Sequence, residues 1–179
     1  MEREIHVIGI DPGGTTGWCR LTIPRLSIFG RDNGEIIEWE YGEFSGDEYK
    51  QAYEIAGLTR ATQSLAYKIG PALVVEDWTI EPVNRTTDRA SLSPIRIGAM
   101  LVYAQRRGDL ADGTVTFQDR SLAKGHMTDE RLEAVGLYTK GSDHVRDATR
   151  HALTALRRAK QKPELAKLMW PNGSGLYSV

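Results

Sequence analysis

Apolar and polar positions alternate with two different periods along the chain, and the changes of period predict its strands and helices. Residues 4–10 end in a near-continuous apolar run, and residues 15–23 and 35–44 alternate. A Gly-rich turn joins the first two segments, and Asn33-Gly34, a common hairpin turn, precedes the third. We therefore predict three consecutive strands that form an antiparallel meander.

Helical spacing begins at residues 45–47 and continues to about Ile69, where a Gly-Pro pair ends it. A fully apolar run at 72–75 predicts a central strand parallel to the first. The remaining predicted elements are a loop at 79–93, a helix at 94–107 that starts with Pro94, a strand at 114–118, a loop at 119–126, and helices at 128–137 and 143–160, the last capped by Ser142. This order predicts an α/β fold, a mixed five-stranded sheet with helices on both faces.

The composition suits one globular domain of 179 residues, with a core at about 5–160 and a tail at 163–179; 40% of the residues are apolar and 26% are charged. No segment holds the roughly 18 consecutive apolar residues of a membrane span, and residues 1–6 lack a signal-peptide pattern. The single cysteine, Cys19, excludes an internal disulfide and fits a small buried side chain. We expect a cytoplasmic protein with no membrane partner.

Charge is unevenly distributed, although the formal net charge is only −1. Residues 1–84 carry 7 Lys and Arg against 14 Asp and Glu, whereas residues 85–160 carry 14 against 9. Such asymmetry is typical of a face that binds a polyanion, but solvated helices also carry basic side chains. Charge alone therefore leaves both interpretations open.

A carboxylate at the end of the first predicted strand is the most informative candidate for chemistry. Asp11 follows a buried apolar run and precedes a Pro-Gly-Gly turn. Burying an unpaired charge is costly, so a positive partner should meet this carboxylate. The candidates are a metal ion, a basic side chain or backbone N–H groups.

Further polar side chains are predicted at the same place. Glu76 ends the fourth strand, and parallel neighbouring strands present their carboxyl ends at one edge of a sheet, where ligands gather. His144 and Asp147 share one face of the last helix, and His151 follows on that face. His151 could orient a metal ligand from behind, but we interpret it as a packed or surface side chain. Carboxylates with imidazole and no sulfur suit Mg²⁺ or Mn²⁺. Two such ions would clamp the attacking and leaving oxygens in phosphodiester hydrolysis.

These motifs resemble the RuvC-like Holliday junction resolvases of the RNase H-like superfamily, most closely their compact phage-encoded members. The matching segments are the opening Ile8–Gly17, the strand end Val74–Glu76 and the closing His144–Leu153, in the family's order of elements. The resemblance covers about residues 5–158. It implies an RNase H-like fold and a structure-specific endodeoxyribonuclease that nicks branched DNA and resolves Holliday junctions.

The resemblance also implies roles for the acidic set. Asp11 would bridge two divalent metal ions per active site, Mg²⁺ or Mn²⁺, with Glu76 and Asp147 as further ligands. His144 would take the fourth position, either as a ligand or as a group beside the attacking water. The family acts as a homodimer whose two sites nick opposed strands of a four-way junction.

Departures from the family concern the DNA contacts. Lys124 resembles the lysine of a basic loop that contacts the scissile strand, but the family commonly opens this loop with Pro-Ser where this chain has Arg120-Ser121. The family's junction-wedging Phe corresponds to Thr79, beside Trp78, which could stack on an unpaired base or be half-buried in the core. Forks, flaps and other branches therefore stay open as substrates. We predict a phosphate-tracking face from Arg85, Arg89, Arg96, Arg106 and Arg107.

Three other functions fit part of the sequence. The turn at 11–16 also resembles the first phosphate loop of sugar kinases and actin-like ATPases, but that architecture needs two such domains and has no use for His144 and Asp147. Another nuclease of the same fold, acting on RNA–DNA hybrid or in rRNA processing, would keep the acidic set. A catalytically silent DNA-binding module would not, because like charges held together without a metal repel each other.

Overall fold

Five strands form one mixed sheet in the order β3-β2-β1-β4-β5. The computed structural model describes residues 4–24, 36, 38–62, 69–78, 89–111 and 114–172, without the side chains of residues 89–91. The strands are β1 (Glu4–Asp11), β2 (Thr15–Pro24), β3 (Glu38–Ser45), β4 (Ala72–Asp77) and β5 (Val115–Asp119). The first three pair antiparallel, while β4 pairs parallel with both β1 and β5. The predicted meander with two added parallel strands is confirmed.

Six helices accompany the sheet in the described part of the chain. They are α1 (Glu48–Thr62), α2 (Arg89–Arg107), α3 (Arg120–His126), α4 (Asp129–Ala134), α5 (Asp143–Gln161) and α6 (Pro163–Met169). Ser142 caps α5 as predicted, since its side chain accepts a hydrogen bond from the Val145 N–H. No helix in the ranges described is long and apolar enough to cross a membrane.

Two predicted helix boundaries on the α1–α2 side are wrong. α1 is described as far as Thr62, residues 63–68 lie outside the described ranges, and Ile69 lies in an isolated β-bridge instead of extending that helix. Helical spacing alone cannot distinguish a last helical turn from a buried residue that follows it. α2 begins at Arg89, within the predicted loop, so Pro94 lies inside the helix. The residues before Pro94 are mostly polar and show no helical spacing of apolar positions, so the sequence did not indicate an earlier start of this helix.

The predicted polar loop at 119–126 is also wrong, because these residues form α3. Asp119 caps this helix, and its side chain accepts from the N–H groups of Ser121 and Leu122. Such a cap is worth about 1 kcal/mol and starts a helix whose residues lack a clear apolar period. The consequence is that Arg120 and Lys124 are held on a short helix at the end of β5.

Alternate residues of the central strands pack on opposite faces of the sheet. Val7 of β1 and Val74 of β4 belong to a core completed by α5 and α6, whereas Ile8 and Leu73 belong to a core completed by α1 and α2. Helices therefore cover both faces, as predicted. Because strand side chains alternate with a period of two, Asp11 of β1 and Glu76 of β4 share the face of the two valines and project toward α5.

Two glycines let α5 approach the sheet more closely than side chains would allow. A Cβ added to Gly9 on β1 would lie 2.0 Å from the Ala148 carbonyl oxygen. A Cβ added to Gly17 on β2 would lie 2.2 Å from the His144 carbonyl carbon. Glycine within a strand commonly marks such a close backbone approach. The first turn of α5 is therefore fixed directly above the carboxyl edge of β1.

The segment after α5 docks on the sheet. Pro163 ends α5 as predicted and also starts α6. Met169 and Trp170 are buried in the core on the α5 side, and Trp170 Nε1 donates to the carbonyl oxygen of His6 at 3.3 Å. The predicted tail at 163–179 thus supplies part of the core, and its residues 173–179 lie outside the described range.

Cys19 allows a simple test of this core. Its side chain is fully buried, and burial raises the pKa of its thiol to about 12. Because the thiolate is the reactive form, we expect Ellman's reagent at mildly alkaline pH to leave the native protein unmodified. After unfolding in urea it should modify the single thiol of each chain. Rapid modification of the native protein would contradict the structure on this point.

Candidate active site

The carboxyl edge of the sheet gathers the acidic residues that the sequence singled out. Ile10 of β1 pairs with Val75 of β4, so one residue further along the parallel register Asp11 and Glu76 are neighbours. Asp147, in the second turn of α5, faces the same edge. All three carboxylates are buried, and the exposed fraction of each residue is 7% or less. The structure thus places one acid from each of three elements in one location.

His144 contacts Asp11 directly. Its Nδ1 lies 2.7 Å from Asp11 Oδ2, and this hydrogen bond is the main reason that the pKa of His144 is raised. The pKa of Asp11 is also raised, first by burial and then by the negative charges of Glu76 and Asp147, against the lowering effect of the His144 hydrogen bond. Glu76 and Asp147 are therefore close enough to Asp11 to disfavour its negative charge, as expected at a site that binds a cation.

Asp147 is held by three basic side chains. Lys124 Nζ lies 3.0 Å from its Oδ2, Arg120 Nη2 lies 3.5 Å from the same atom, and Arg150 donates to Oδ1. Burial alone would raise the pKa of Asp147, but Lys124 and Arg150 outweigh it and the pKa is lowered. Arg150 also binds Asp129 and the Met127 carbonyl oxygen, which ties α5 to the segment after α3.

Glu76 has one internal partner and one partner near the surface. His151 Nε2 lies 3.0 Å from Glu76 Oε2, and Arg120 Nε lies 3.9 Å from Glu76 Oε1. Of the two placements expected for His151, packed or on the surface, the structure shows the packed one, since 1% of the residue is exposed. The sequence did not reveal its contact with Glu76. Gln118 of β5, which hydrogen-bonds to His151, was not predicted at all.

The turn that follows Asp11 is fixed by a buried glutamine. Gln51 of α1 donates from Nε2 to the carbonyl oxygens of Gly13, Gly14 and Gly46, at 3.4, 3.2 and 2.9 Å. A phosphate loop presents free backbone N–H groups to its ligand. Here the Gly13 N–H donates to Thr16 Oγ1 at 3.4 Å, and the carbonyls of both turn glycines accept from the glutamine. This arrangement favours a structural turn beside Asp11 over a nucleotide cradle.

The other predicted DNA-binding residues are distributed differently. Trp78 follows the end of β4 and therefore lies beside the acids. It is 38% exposed, so part of its side chain is open to solvent. Arg96 is on α2, on the other face of the sheet, where its Nη1 binds the buried Glu48 at 3.1 Å. Arg85 lies outside the described residues, as does the side chain of Arg89. Arg106 and Arg107 are exposed at the end of α2, away from the acids.

The donor set fits a hard divalent cation, although the side chains are turned to basic partners. Within the described ranges, no group of three or more His, Cys, Asp or Glu side chains is arranged as ready ligands. The oxygens of Asp11, Glu76 and Asp147 are instead satisfied by His144, His151 and the basic groups of α3 and α5. Three carboxylates and an imidazole are the ligand types that Mg²⁺ and Mn²⁺ accept. Ligation would require the acids to exchange partners.

Comparisons with known proteins show the fold. No protein-family model and no curated protein sequence matches the chain. Two structures of RuvC from Thermus thermophilus are similar to it, one of them in complex with a Holliday junction substrate. The TM-score is 0.57 for both, at 14% identity for the complex and 18% for the other. Each comparison covers 88% of this chain and 96% of RuvC. The RNase H-like fold predicted from the sequence is therefore confirmed.

Proposed function

We propose that this protein is a structure-specific endodeoxyribonuclease that depends on divalent metal ions and resolves Holliday junctions as a homodimer. It would nick opposed strands of branched DNA by paired phosphodiester hydrolysis, in DNA recombination or repair. A phage origin and a cytoplasmic location belong to the same proposal, because the sequence most resembles compact phage-encoded resolvases. Support for branched DNA comes from the fold shared with RuvC, one structure of which contains a Holliday junction.

A single arrangement supports the nuclease proposal best. Three buried acids from β1, β4 and α5 lie at one sheet edge, and two basic side chains of α3, Arg120 and Lys124, lie directly against them. Both basic side chains are about half exposed, so they can reach a ligand outside the site. An acidic centre beside a basic helix can bind a phosphodiester and the cations that neutralise it.

In this proposal each residue has a role that its position permits. Asp11, Glu76 and Asp147 would hold the metal ions, and His144 would be a ligand or hold a proton beside the attacking water. Mg²⁺ or Mn²⁺, when bound, supplies charge stabilisation at the phosphoryl oxygens and a more acidic water. Lys124 would exchange Asp147 for a DNA phosphate. Trp78, exposed beside the acids, would stack on an unpaired base in the place of the family's wedge.

The homodimer is supported by an exposed apolar stripe on α2. Ile95, Ala99 and Tyr103 are exposed at intervals of four residues and therefore lie on one helix face. Phe117 of the edge strand β5 is 44% exposed and packs beside Gly98 of the same helix. A second copy of the chain would cover this stripe, and analytical ultracentrifugation should find a dimer that Tyr103→Glu weakens.

The decisive experiment offers the purified protein a panel of synthetic substrates with Mn²⁺. The panel contains a four-way junction, a fork, a flap, a linear duplex and an RNA–DNA hybrid, each labelled on every strand, with EDTA reactions as controls. Symmetric nicks in opposed strands of the junction would support resolution. Faster cleavage of forks or flaps than of the junction would indicate a nuclease specific for those branches instead of a Holliday junction resolvase. Cleavage of the hybrid alone would exclude a Holliday junction resolvase.

We expect Lys124→Gln to weaken the binding of DNA by a similar factor whatever the DNA sequence. If Lys124 contacts one phosphate, the slope of log K against log salt concentration should become less steep by about 0.9. Fluorescence anisotropy with a labelled junction in EDTA measures this slope while preventing cleavage. Lys162→Gln is the matched control, because Lys162 is exposed at the C-terminal end of α5, whereas the acids lie at its N-terminal end. An unchanged slope for Lys124→Gln would remove this lysine from the DNA contact.

A further inference from the structure

A buried hydrogen-bonded chain of three residues reaches Glu76 from inside the protein. Gln118 on β5 contacts His151 on α5, and His151 contacts Glu76 on β4. The nitrogen–nitrogen distance between Gln118 Nε2 and His151 Nδ1 is 3.1 Å, and His151 Nε2 lies 3.0 Å from Glu76 Oε2. The three residues are 4%, 1% and 3% exposed. Buried polar groups of this kind are retained only when each has a partner.

The surroundings fix the direction of the hydrogen bonds. Gln118 Nε2 also lies 3.4 Å from the backbone carbonyl oxygen of His151, which can only accept. The atom of the Gln118 side-chain amide that faces this carbonyl must therefore be the nitrogen, because two oxygens could not form a hydrogen bond. The same nitrogen also donates to Nδ1 of the imidazole. A neutral imidazole that accepts at Nδ1 carries its proton on Nε2, the atom that faces Glu76. The direction of donation thus runs from Gln118 through His151 to the carboxylate.

This direction has a geometric consequence for Glu76. Its Oε2 is engaged by His151 in the interior, whereas its Oε1 faces the half-exposed guanidinium of Arg120 at the mouth of the site. A glutamate side chain has several rotamers, and one fixed oxygen removes most of this freedom. The other oxygen is then held toward the edge where Asp11 and Asp147 lie.

We propose that His151, oriented by Gln118, is a positioning residue that holds Glu76 Oε1 toward the metal and the scissile phosphate. The proposal rests on the proposed function in one respect, that Glu76 is a metal ligand. His151 itself would touch neither the DNA nor the metal, because it lies on the buried face of α5, against β4 and β5. Partners of this type, which orient a ligand from behind, commonly contribute about 10–100-fold to metal affinity or activity.

The first experiment compares Mn²⁺ affinity and junction nicking in variants of the full chain. His151→Leu removes the donor to Glu76, whereas His151→Gln can still donate from a similar position. We expect the leucine variant to bind Mn²⁺ about 10–100-fold more weakly by isothermal titration calorimetry, and to nick more slowly to a similar extent. The glutamine variant should recover most of both losses. Equal Mn²⁺ affinity and nicking for wild type and His151→Leu would overturn the proposal.

A matched control separates positioning from stability. His6 is a histidine on β1, and its Nδ1 lies 3.1 Å from Thr22 Oγ1, remote from the acids. His6→Leu should reduce the free energy of unfolding without changing Mn²⁺ affinity. If His6→Leu and His151→Leu reduced Mn²⁺ affinity equally, the effect would be one of stability and the positioning role would be refuted.

A second measurement does not depend on nuclease activity. Nitrogen-15 chemical shifts of the His151 ring distinguish the two neutral tautomers, and we expect the proton on Nε2 in the wild type and a mixture in Gln118→Leu. The Nδ1–H tautomer in the wild type would overturn the proposal even if the protein is a nuclease. Conversely, the Nε2–H tautomer with weaker Mn²⁺ binding in His151→Leu would support it even if no substrate in the panel is cut.

Discussion

Asp11→Asn should abolish cleavage of a four-way junction while the protein still binds it. Asparagine preserves the shape of the side chain but loses the charge that two cations would share. A loss of about 4 kcal/mol of transition-state stabilisation corresponds to about a 1000-fold slower reaction. Single-turnover nicking with Mn²⁺ measures the rate, and an electrophoretic mobility shift in EDTA measures binding. Nicking at the wild-type rate would remove Asp11 from the mechanism.

The same variant should be at least as stable as the wild type at neutral pH in EDTA. Burial and the neighbouring acids raise the pKa of Asp11, so the folded state binds its proton more tightly than the unfolded state does. This contribution to stability is lost as the pH rises through the raised pKa, which makes the ionised carboxylate costly at neutral pH. Asn removes that cost, and urea unfolding measures it. Asp109→Asn, at an exposed site far from the acids, is the control for both readouts.

Gly17→Ala should destabilise the protein by about 3 kcal/mol and also reduce nicking. The added methyl group would lie within 2.3 Å of two backbone atoms of His144, and neither atom belongs to a flexible side chain that could move aside. Overpacking of this kind typically costs about 1–3 kcal/mol. The first turn of α5 would have to lift from β2, which separates His144 from Asp11. Denaturant unfolding and junction nicking measure the two effects.

Gly14→Ala is the matched control for this prediction. It lies three residues earlier, and a Cβ added there would meet no heavy atom within 4 Å. We expect its free energy of unfolding and its nicking rate to stay close to those of the wild type. Wild-type stability for Gly17→Ala would show that α5 does not approach β2 as closely as the structure has it.

Most of the sheet could be predicted because its signals are local. A fully apolar run identified β4 as a central strand, and its parallel neighbour β1 followed from the order of elements. That pairing alone brings Asp11 beside Glu76. Helical spacing then placed His144 and Asp147 on one face of α5. The position of α3 could not be predicted in this way, since a single capping side chain, Asp119, starts it.

The partners of the acids could not be predicted, because they depend on how elements pack. Spacing places His151 on the same helix face as Asp147, but it does not say what lies opposite. That depends on β5, where Gln118 pairs in register with Glu76 across the parallel ladder. The basic partner Lys124 depends likewise on the docking of α3 against α5. These contacts require the relative placement of two elements, which no local pattern encodes. Arg150 is different, because it lies three residues from Asp147 on the same helix, a spacing that the sequence shows.

The hydrogen bond from Trp170 to His6 has a consequence for the order of events during synthesis, because it joins residues 164 positions apart. A ribosome adds about 5–20 residues per second, so Trp170 is made roughly 8–30 seconds after the strand on which it packs. During that interval the part of β1 on which Trp170 packs in the folded protein lacks this contact. The nascent domain therefore completes its core late, when its first strand meets one of its last buried side chains.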